Sequence, residues 1–181
     1  YNGISANDIG HKESDKICKK YDIKKDNKII GTVGNFSEHK NFMMFINVCE
    51  NIFNIHNNVH FVAIGQGPDM AKYKDYISRS QLKNVFTFTG YVSPVYNYLS
   101  QLDVFLLTSK WEGMPNVVME AMLNRVPVIS TNVDGSRELI RHGENGFLVD
   151  IDDVNSMSDF VVKIINGDVD IYTILNKAKS D

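Results

Sequence analysis

Short apolar runs rich in β-branched and aromatic residues recur along this chain: "KIIGTVG" (28–34), "VHFVAIG" (59–65), "VFTFTG" (85–90), "VFLLTS" (104–109), "VPVIST" (126–131) and "GFLVD" (146–150). Runs of this length and type read as buried strands. Longer segments with helical spacing lie between them. "NFMMFINVCENIF" puts Phe42, Phe45, Ile46, Cys49 and Phe53 on one helix face. "DMAKYKDYISRSQL" and "NVVMEAMLN" also read as helices, and "DVNSMSDFVVKIING" opens on Asp and Ser residues that suit a helix start. Strand-helix alternation implies an α/β fold: a Rossmann-like, doubly wound parallel sheet of about six strands, with helices on both faces and right-handed crossovers. Ligands of such sheets bind beyond the carboxyl ends of the strands. The loops "GNFSEHK", "GQGPD", "GYVSP" and "SKWEGMP" follow those ends, so they are expected to line one rim.

Composition narrows the function classes. The 181 residues are 43% hydrophobic, enough for the core of one ordinary domain. A formal net charge of -3 argues against broad nucleic-acid binding. Cys18 and Cys49 lack metal-like spacing and read as reduced thiols of a cytoplasmic protein. No apolar run approaches the ~20 residues of a membrane span, and the opening "YNGISANDIG" resembles no signal peptide. A first residue of Tyr suggests a piece of something longer. Seven lysines between Lys12 and Lys28 are interleaved with acids. They read as a solvated helix near Glu13–Tyr21; the other reading, a weak membrane-surface patch, is opposed by the mixed signs.

The stretch "SKWEGMPNVVMEAM" (109–122) places Glu112 on the loop and Glu120 in the following helix. Pro115 suits a first helical turn. Neither Gly113 nor Met114 has a side-chain oxygen to cap it. The amides of Asn116, Val117 and Val118 are therefore left without an evident local acceptor. Free amides at a helix start form an anion site, unless water or a neighbouring loop satisfies them. Asn116, Glu120 and Asn124 form one polar stripe. Glu120 lies roughly 7.5 Å along the axis from Pro115, where it could accept bonds from ribose hydroxyls; a solvated helix face would look the same. Glu112 could do likewise for another sugar. Lys40, near a helix start after the first strand, could meet a diphosphate as a point charge or be an ordinary surface lysine. Gly65 and Gly67 in "GQGP" would let backbone approach a ligand, or simply make a tight turn.

Taken together, "EGMPNVVMEAM" resembles the E-x7-E signature of the retaining glycosyltransferases of family 4, also called group 1. "YNGIS" is similar to that family's hinge segment, "GTVGNFSEHKN" to its "vgRl-x-x-x-Kg" stretch and "AIGQGPD" to its "G-x-Gp" loop. "VFTFTGYVS" and "PVISTNVDGSRELIRHGENGFLV" resemble two further family segments, in the family's order. The resemblance implies one half of a GT-B enzyme: the C-terminal, donor-binding domain. Residues 1–27 would be an interdomain linker with a short helix, 28–167 the nucleotide-sugar-binding domain and 168–181 a truncated C-terminal tail.

The resemblance also implies roles. Glu112 would bind hydroxyls of the transferred sugar and Glu120 the ribose. Lys40 would hold the diphosphate. Backbone at Gly113, Met114, Pro115 and Asn116 would surround sugar and diphosphate. Val92 would lie by a nucleobase read largely through backbone. The donor would be a nucleotide-diphosphate-sugar, used without metal or other cofactor. The acceptor, a glycan or lipid-linked hydroxyl, would be held mainly by the N-terminal half, and the intact enzyme would be cytoplasmic, peripheral to the inner membrane face, in surface-polysaccharide synthesis. One departure is Asn35, where the family often has Arg; Asn brings no charge, so leaving-group stabilisation would lean on Lys40 and the helix dipole. Two rivals use the same donor site: a non-catalytic nucleotide-sugar-binding module and a GT-B-fold UDP-sugar epimerase. A dinucleotide-binding enzyme is opposed by the missing G-x-G-x-x-G after the first strand.

Overall fold

The computed structural model describes residues 16–180. Six strands form one sheet: β1 (Lys28–Val33), β2 (Val59–Ile64), β3 (Phe86–Gly90), β4 (Val104–Leu107), β5 (Val128–Thr131) and β6 (Phe147–Val149). Their order is β3-β2-β1-β4-β5-β6 and every pairing is parallel. This is the doubly wound arrangement expected from the sequence. Chain order reverses between β1 and β4, where Ile30 pairs with Val104 and Gly31 with Phe105.

The two-residue period of a strand explains how both faces are covered. Ile30, Phe61, Ala63, Val104, Leu106 and Ile129 point into one apolar cluster. Their neighbours Ile29, Val62, Ile64, Phe105, Leu107 and Val128 point into another. Helices α2 (Phe42–Ile55) and α7 (Val154–Asn166) close the first, through Phe45, Ile46, Met157 and Val161. Helices α1 (Lys16–Tyr21) and α5 (Asn116–Leu123) close the second, through Ile17, Val118 and Ala121. Each fully buried side chain of this size contributes roughly 1.5–3 kcal/mol, so the two clusters fix the sheet and hence its rim.

Local chemistry sets the element ends. In α7 the Asp153 side chain accepts from the Ser156 amide at 2.9 Å, and Gly167 takes a left-handed φ of 80° to end the helix. The helix expected over 69–82 is instead α3 (Met70–Arg79) followed by a separate 3-10 turn, Gln81–Asn84. Ser80 divides them, because its hydroxyl accepts from the Leu82 amide at 3.1 Å and starts a new turn. Buried Met44, Val48 and Ile52 make the apolar face of α2 wider than expected, while Phe53 is only partly covered. The helix anticipated near Glu13–Tyr21 is described from Lys16; residues 13–15 lie outside the described residues. Ile17 and Ile23 are buried, so this segment is packed and not merely solvated. Helix α8 (Ile171–Ser180) packs at the other end through Ile174. Helices on both sides of the expected 28–167 unit thus dock onto it.

Candidate functional site

At the switch between β1 and β4, the chain leaves one strand toward α2 on one face and the other toward α5 on the opposite face. The two outgoing loops come together at the carboxyl ends of the strands, where ligands of such sheets bind. Lys40 comes from the first loop and Glu112 from the second, and their side chains meet there. Lys40 Nζ lies 2.5 Å from Glu112 Oε1, with side-chain exposures of only 19% and 12%. The same oxygen accepts a hydrogen bond from the Ser109 hydroxyl at 2.6 Å. The loops are also tied through their backbones. The Thr108 hydroxyl donates to the Lys40 carbonyl at 3.0 Å, and the Lys110 amide donates to the His39 carbonyl at 2.8 Å. Gly34 passes beneath the Lys40 stem, which a Cβ there would meet at 3.5 Å. Lys40 is therefore not an ordinary surface lysine; in this state its charge is engaged by Glu112.

Beside this pair, α5 begins without a side-chain cap. Pro115 sits at the N-cap, one residue before the first helical turn where it was expected. The anticipated three unsatisfied amides are two: the Val118 amide donates to the Pro115 carbonyl at 2.9 Å, closing the first turn on itself. The amides of Asn116 and Val117 have no acceptor among the described residues.

One turn on, Glu120 is half-buried and its carboxylate has no hydrogen-bond or ion-pair partner among the described residues. Burial pushes its pKa above the ordinary carboxylate value. It faces a cleft of about 520 Å3, together with Asn35, Gly65, Val92, Asn116 and Val117. Six of the residues singled out in the sequence thus line one cavity. Gly65 turns the β2 loop with a φ of 122°, and a Cβ there would strike the Gly34 carbonyl oxygen at 2.1 Å. Its glycine is demanded by the protein's own backbone.

Other residues fall elsewhere. Gly67 does not line the cleft; a Cβ on it would lie 2.4 Å from the Phe36 backbone, so it serves the packing of its own turn. Asn124 leaves the polar stripe: its side-chain amide donates to the Glu120 carbonyl at 2.8 Å and caps α5. Gly113 and Met114 lie on the exposed part of the loop, Met114 at 50% exposure. Tyr91, 73% exposed on the cleft's edge, and Ser109 were not singled out in the sequence. Tyr91 adjoins Val92, and Ser109 stands three residues before Glu112, but nothing in either residue type signals a partner. Among the described residues, no group of three or more His, Cys, Asp or Glu is placed to hold a metal ion. No helix among them is long and apolar enough to cross a membrane.

Residues 13–179 match the family model described as glycosyl transferases group 1. The chain is 29% identical over 168 residues to 2-deoxystreptamine N-acetyl-D-glucosaminyltransferase of Niallia circulans, covering 91% of this chain and 43% of that protein. It is 30% identical over 152 residues to UDP-Gal:alpha-D-GlcNAc-diphosphoundecaprenol alpha-1,3-galactosyltransferase of Escherichia coli, covering 81% and 39%. Its fold superposes on that of Anabaena HepE in complex with UDP-glucose with a TM-score of 0.90 at 23% identity, over 99% of this chain and half of that one. The chain spans less than half the length of the two curated relatives. With a doubly wound sheet, an acid at either side of an open helix start and a family match over nearly its whole length, this chain belongs to the group 1 glycosyltransferases.

Proposed function

We propose that this chain is the donor-binding half of a retaining glycosyltransferase that moves a sugar from a nucleotide-diphosphate-sugar to an acceptor hydroxyl. The observation that carries the reading is the pair of amides at Asn116 and Val117 that have no acceptor among the described residues, set between Glu120, likewise without a partner among them, and the Lys40–Glu112 pair. A diphosphate supplies the oxygens those amides lack, at the favourable end of the α5 dipole. Ribose hydroxyls donate to Glu120, and the base lies along Val92 in the cleft. The diphosphate competes with Glu112 for the Lys40 ammonium, so donor binding turns a resting ion pair into two contacts, one on phosphate and one on sugar.

The chemistry is then one of placement and charge stabilisation. The bond from the anomeric carbon to the diphosphate oxygen breaks as the acceptor oxygen bonds on the same face. The acceptor proton passes to an oxygen of the departing diphosphate. Lys40 and the two amides stabilise the charge that develops there, with no metal ion in that role. Glu112 orients the sugar and forms no covalent bond to it. Asn35 adds a neutral donor where an Arg would add charge. Met114 and Pro115 hold the loop around the sugar. The acceptor, a glycan or lipid-linked hydroxyl, is held mainly by the half of the enzyme that this chain does not include. The galactosyltransferase relative carries a diphosphoundecaprenol-linked acceptor in its name, which supports a cytoplasmic enzyme working at the membrane face.

In the intact protein, Glu112→Ala is expected to cut sugar transfer on the order of 10²–10³-fold, with UDP binding retained by calorimetry. Near-normal transfer would remove Glu112 from the site. Binding without any transfer would identify a sensor module, and an epimerised nucleotide-sugar appearing without acceptor, seen by NMR, would identify an epimerase.

A further inference from the structure

We infer that Gly135, with Thr131, is a positioning residue for Glu112. Helix α6 (Asp134–Leu139) begins just after β5 and lies against the Glu112 loop. The Gly135 amide donates to the Glu112 carbonyl at 3.2 Å. A Cβ on Gly135 would stand 2.0 Å from the Gly113 carbonyl oxygen, 2.6 Å from its carbon and 2.9 Å from the Glu112 carbonyl oxygen. All three are backbone atoms, so no side chain can swing aside. Gly135 is not among the residues with positive φ. Its glycine therefore answers a need for space, not for an unusual conformation.

The loop is held at a second point. The Thr131 hydroxyl donates to the Ser109 carbonyl at 2.6 Å, with both residues fully buried, and Ser109 in turn donates to the Glu112 carboxylate. Ser136 and Ser130 share a buried hydrogen bond at 2.7 Å, which pins α6 to β5. Helix α6 is thus anchored from behind while the backbone at Gly113 is open in front: a Cβ on Gly113 meets nothing within 4 Å. When Gly135 becomes Ala, it is the Gly113 carbonyl that yields, and the Glu112 backbone bonded to it follows. Restoring even a 3.0 Å separation from 2.0 Å requires a shift of about 1 Å. A displacement of that size at a group that orients a reacting sugar costs on the order of 10²-fold in rate. The catalytic consequence rests on the donor-site reading of Glu112; the geometric one does not.

The test uses the intact protein. In the crystal structure of Gly135→Ala, the Gly113 carbonyl should move by about 1 Å and the Lys40–Glu112 contact should open, with the sheet unchanged. A Glu112 carboxylate still seated on Lys40 would overturn the inference, whatever reaction the protein catalyses. Release of UDP from UDP-galactose, UDP-glucose and UDP-N-acetylglucosamine, with acceptor supplied, gives the kinetic arm. G135A should lower kcat about 10²-fold and leave UDP affinity within about twofold, yet cost less than about threefold more in an E112Q background. Full additivity with E112Q overturns the assignment. A wild-type protein that releases no UDP removes the proposed function alone, and the crystal structure still decides the geometry. If G135A does not fold, Thr131→Val deletes the bond to Ser109 without adding bulk. Its crystal structure should show the same opened contact and its cycle with E112Q the same non-additivity; a seated carboxylate or full additivity there overturns the inference equally.

Discussion

Two glycines in contact differ in what they require of the protein. Gly135 has backbone against it, whereas Gly113 faces open space and has no positive φ. Nothing among the described residues demands glycine at 113; on the proposed donor site, the space it leaves belongs to the sugar. Gly113→Ala is expected to leave stability within about 0.5 kcal/mol of wild type by urea unfolding and to lower sugar transfer about tenfold or more, because the new methyl group occupies donor space. Full activity in that variant would place the sugar elsewhere. Glu120 is the opposite case, a residue the empty fold would be better without. Its raised carboxyl pKa means the folded protein binds a proton more readily than the unfolded chain does. The contribution of Glu120 to the stability of the ligand-free protein therefore falls as pH rises from the ordinary carboxylate value through the raised one, and is flat above. Glu120→Gln removes that loss. Its unfolding midpoint should exceed that of wild type at pH 8, and the gap should close as pH drops through the raised pKa; a constant gap would show that the carboxylate is solvated. Both acids were legible as residue types in a spacing. The Lys40–Glu112 contact was not, since it joins positions 72 apart in sequence through loops whose meeting depends on strand order.

At the scale of elements, legibility followed length and period. The six strands and helices α2, α5 and α7 carry enough apolar residues to show their repeat. Helix α4 (Tyr96–Leu99), with four residues, and α6, with six, do not complete enough turns to display one. Helix α6 is the element that braces the Glu112 loop, so the missing part of the site lay in a very short structure. The β2–β3 edge holds a buried group that no motif or period marks. His60, 7% exposed, shares a 2.8 Å hydrogen bond with Thr87 across the two strands. Burial lowers its pKa to about 4 from 6.5. At this residue the unfolded chain then binds more protons than the folded one between those values, so the His60 contribution to stability is complete above pH 6.5 and declines as pH falls toward 4. A shift of that size corresponds to roughly 3 kcal/mol. Urea titrations at pH 7 and pH 4.5 should show the decline in wild type and a much smaller one in His60→Gln. An equal decline in both would shift the acid sensitivity to other groups.

For the whole molecule, sheet order, loop chemistry and charge make one arrangement. Placing β1 beside β4 brings the loops after these strands together, so that Lys40 meets Glu112 near the start of α5, whose first residues line the cleft. In the proposed mechanism, a doubly charged diphosphate entering there meets amides that no described protein atom satisfies and a lysine already desolvated against Glu112. On that mechanism the attraction needs no added divalent ion. Bound UDP at a hundred times its Kd stabilises the folded state by about 2.7 kcal/mol, which for a chain of this size raises Tm by about 5–10 °C. The rise should persist in excess EDTA, because on the proposed mechanism Lys40 and the α5 amides carry the charge. It should shrink in Glu120→Gln, where the carboxylate proposed to accept two ribose hydroxyls becomes an amide with one acceptor oxygen. It should also weaken with salt, since the cleft opens to solvent and its charges are screened over about 8 Å at physiological ionic strength. A thermal shift that vanishes in EDTA would instead assign the diphosphate charge to a metal ion, and Lys40 would then be an anchor for Glu112 alone.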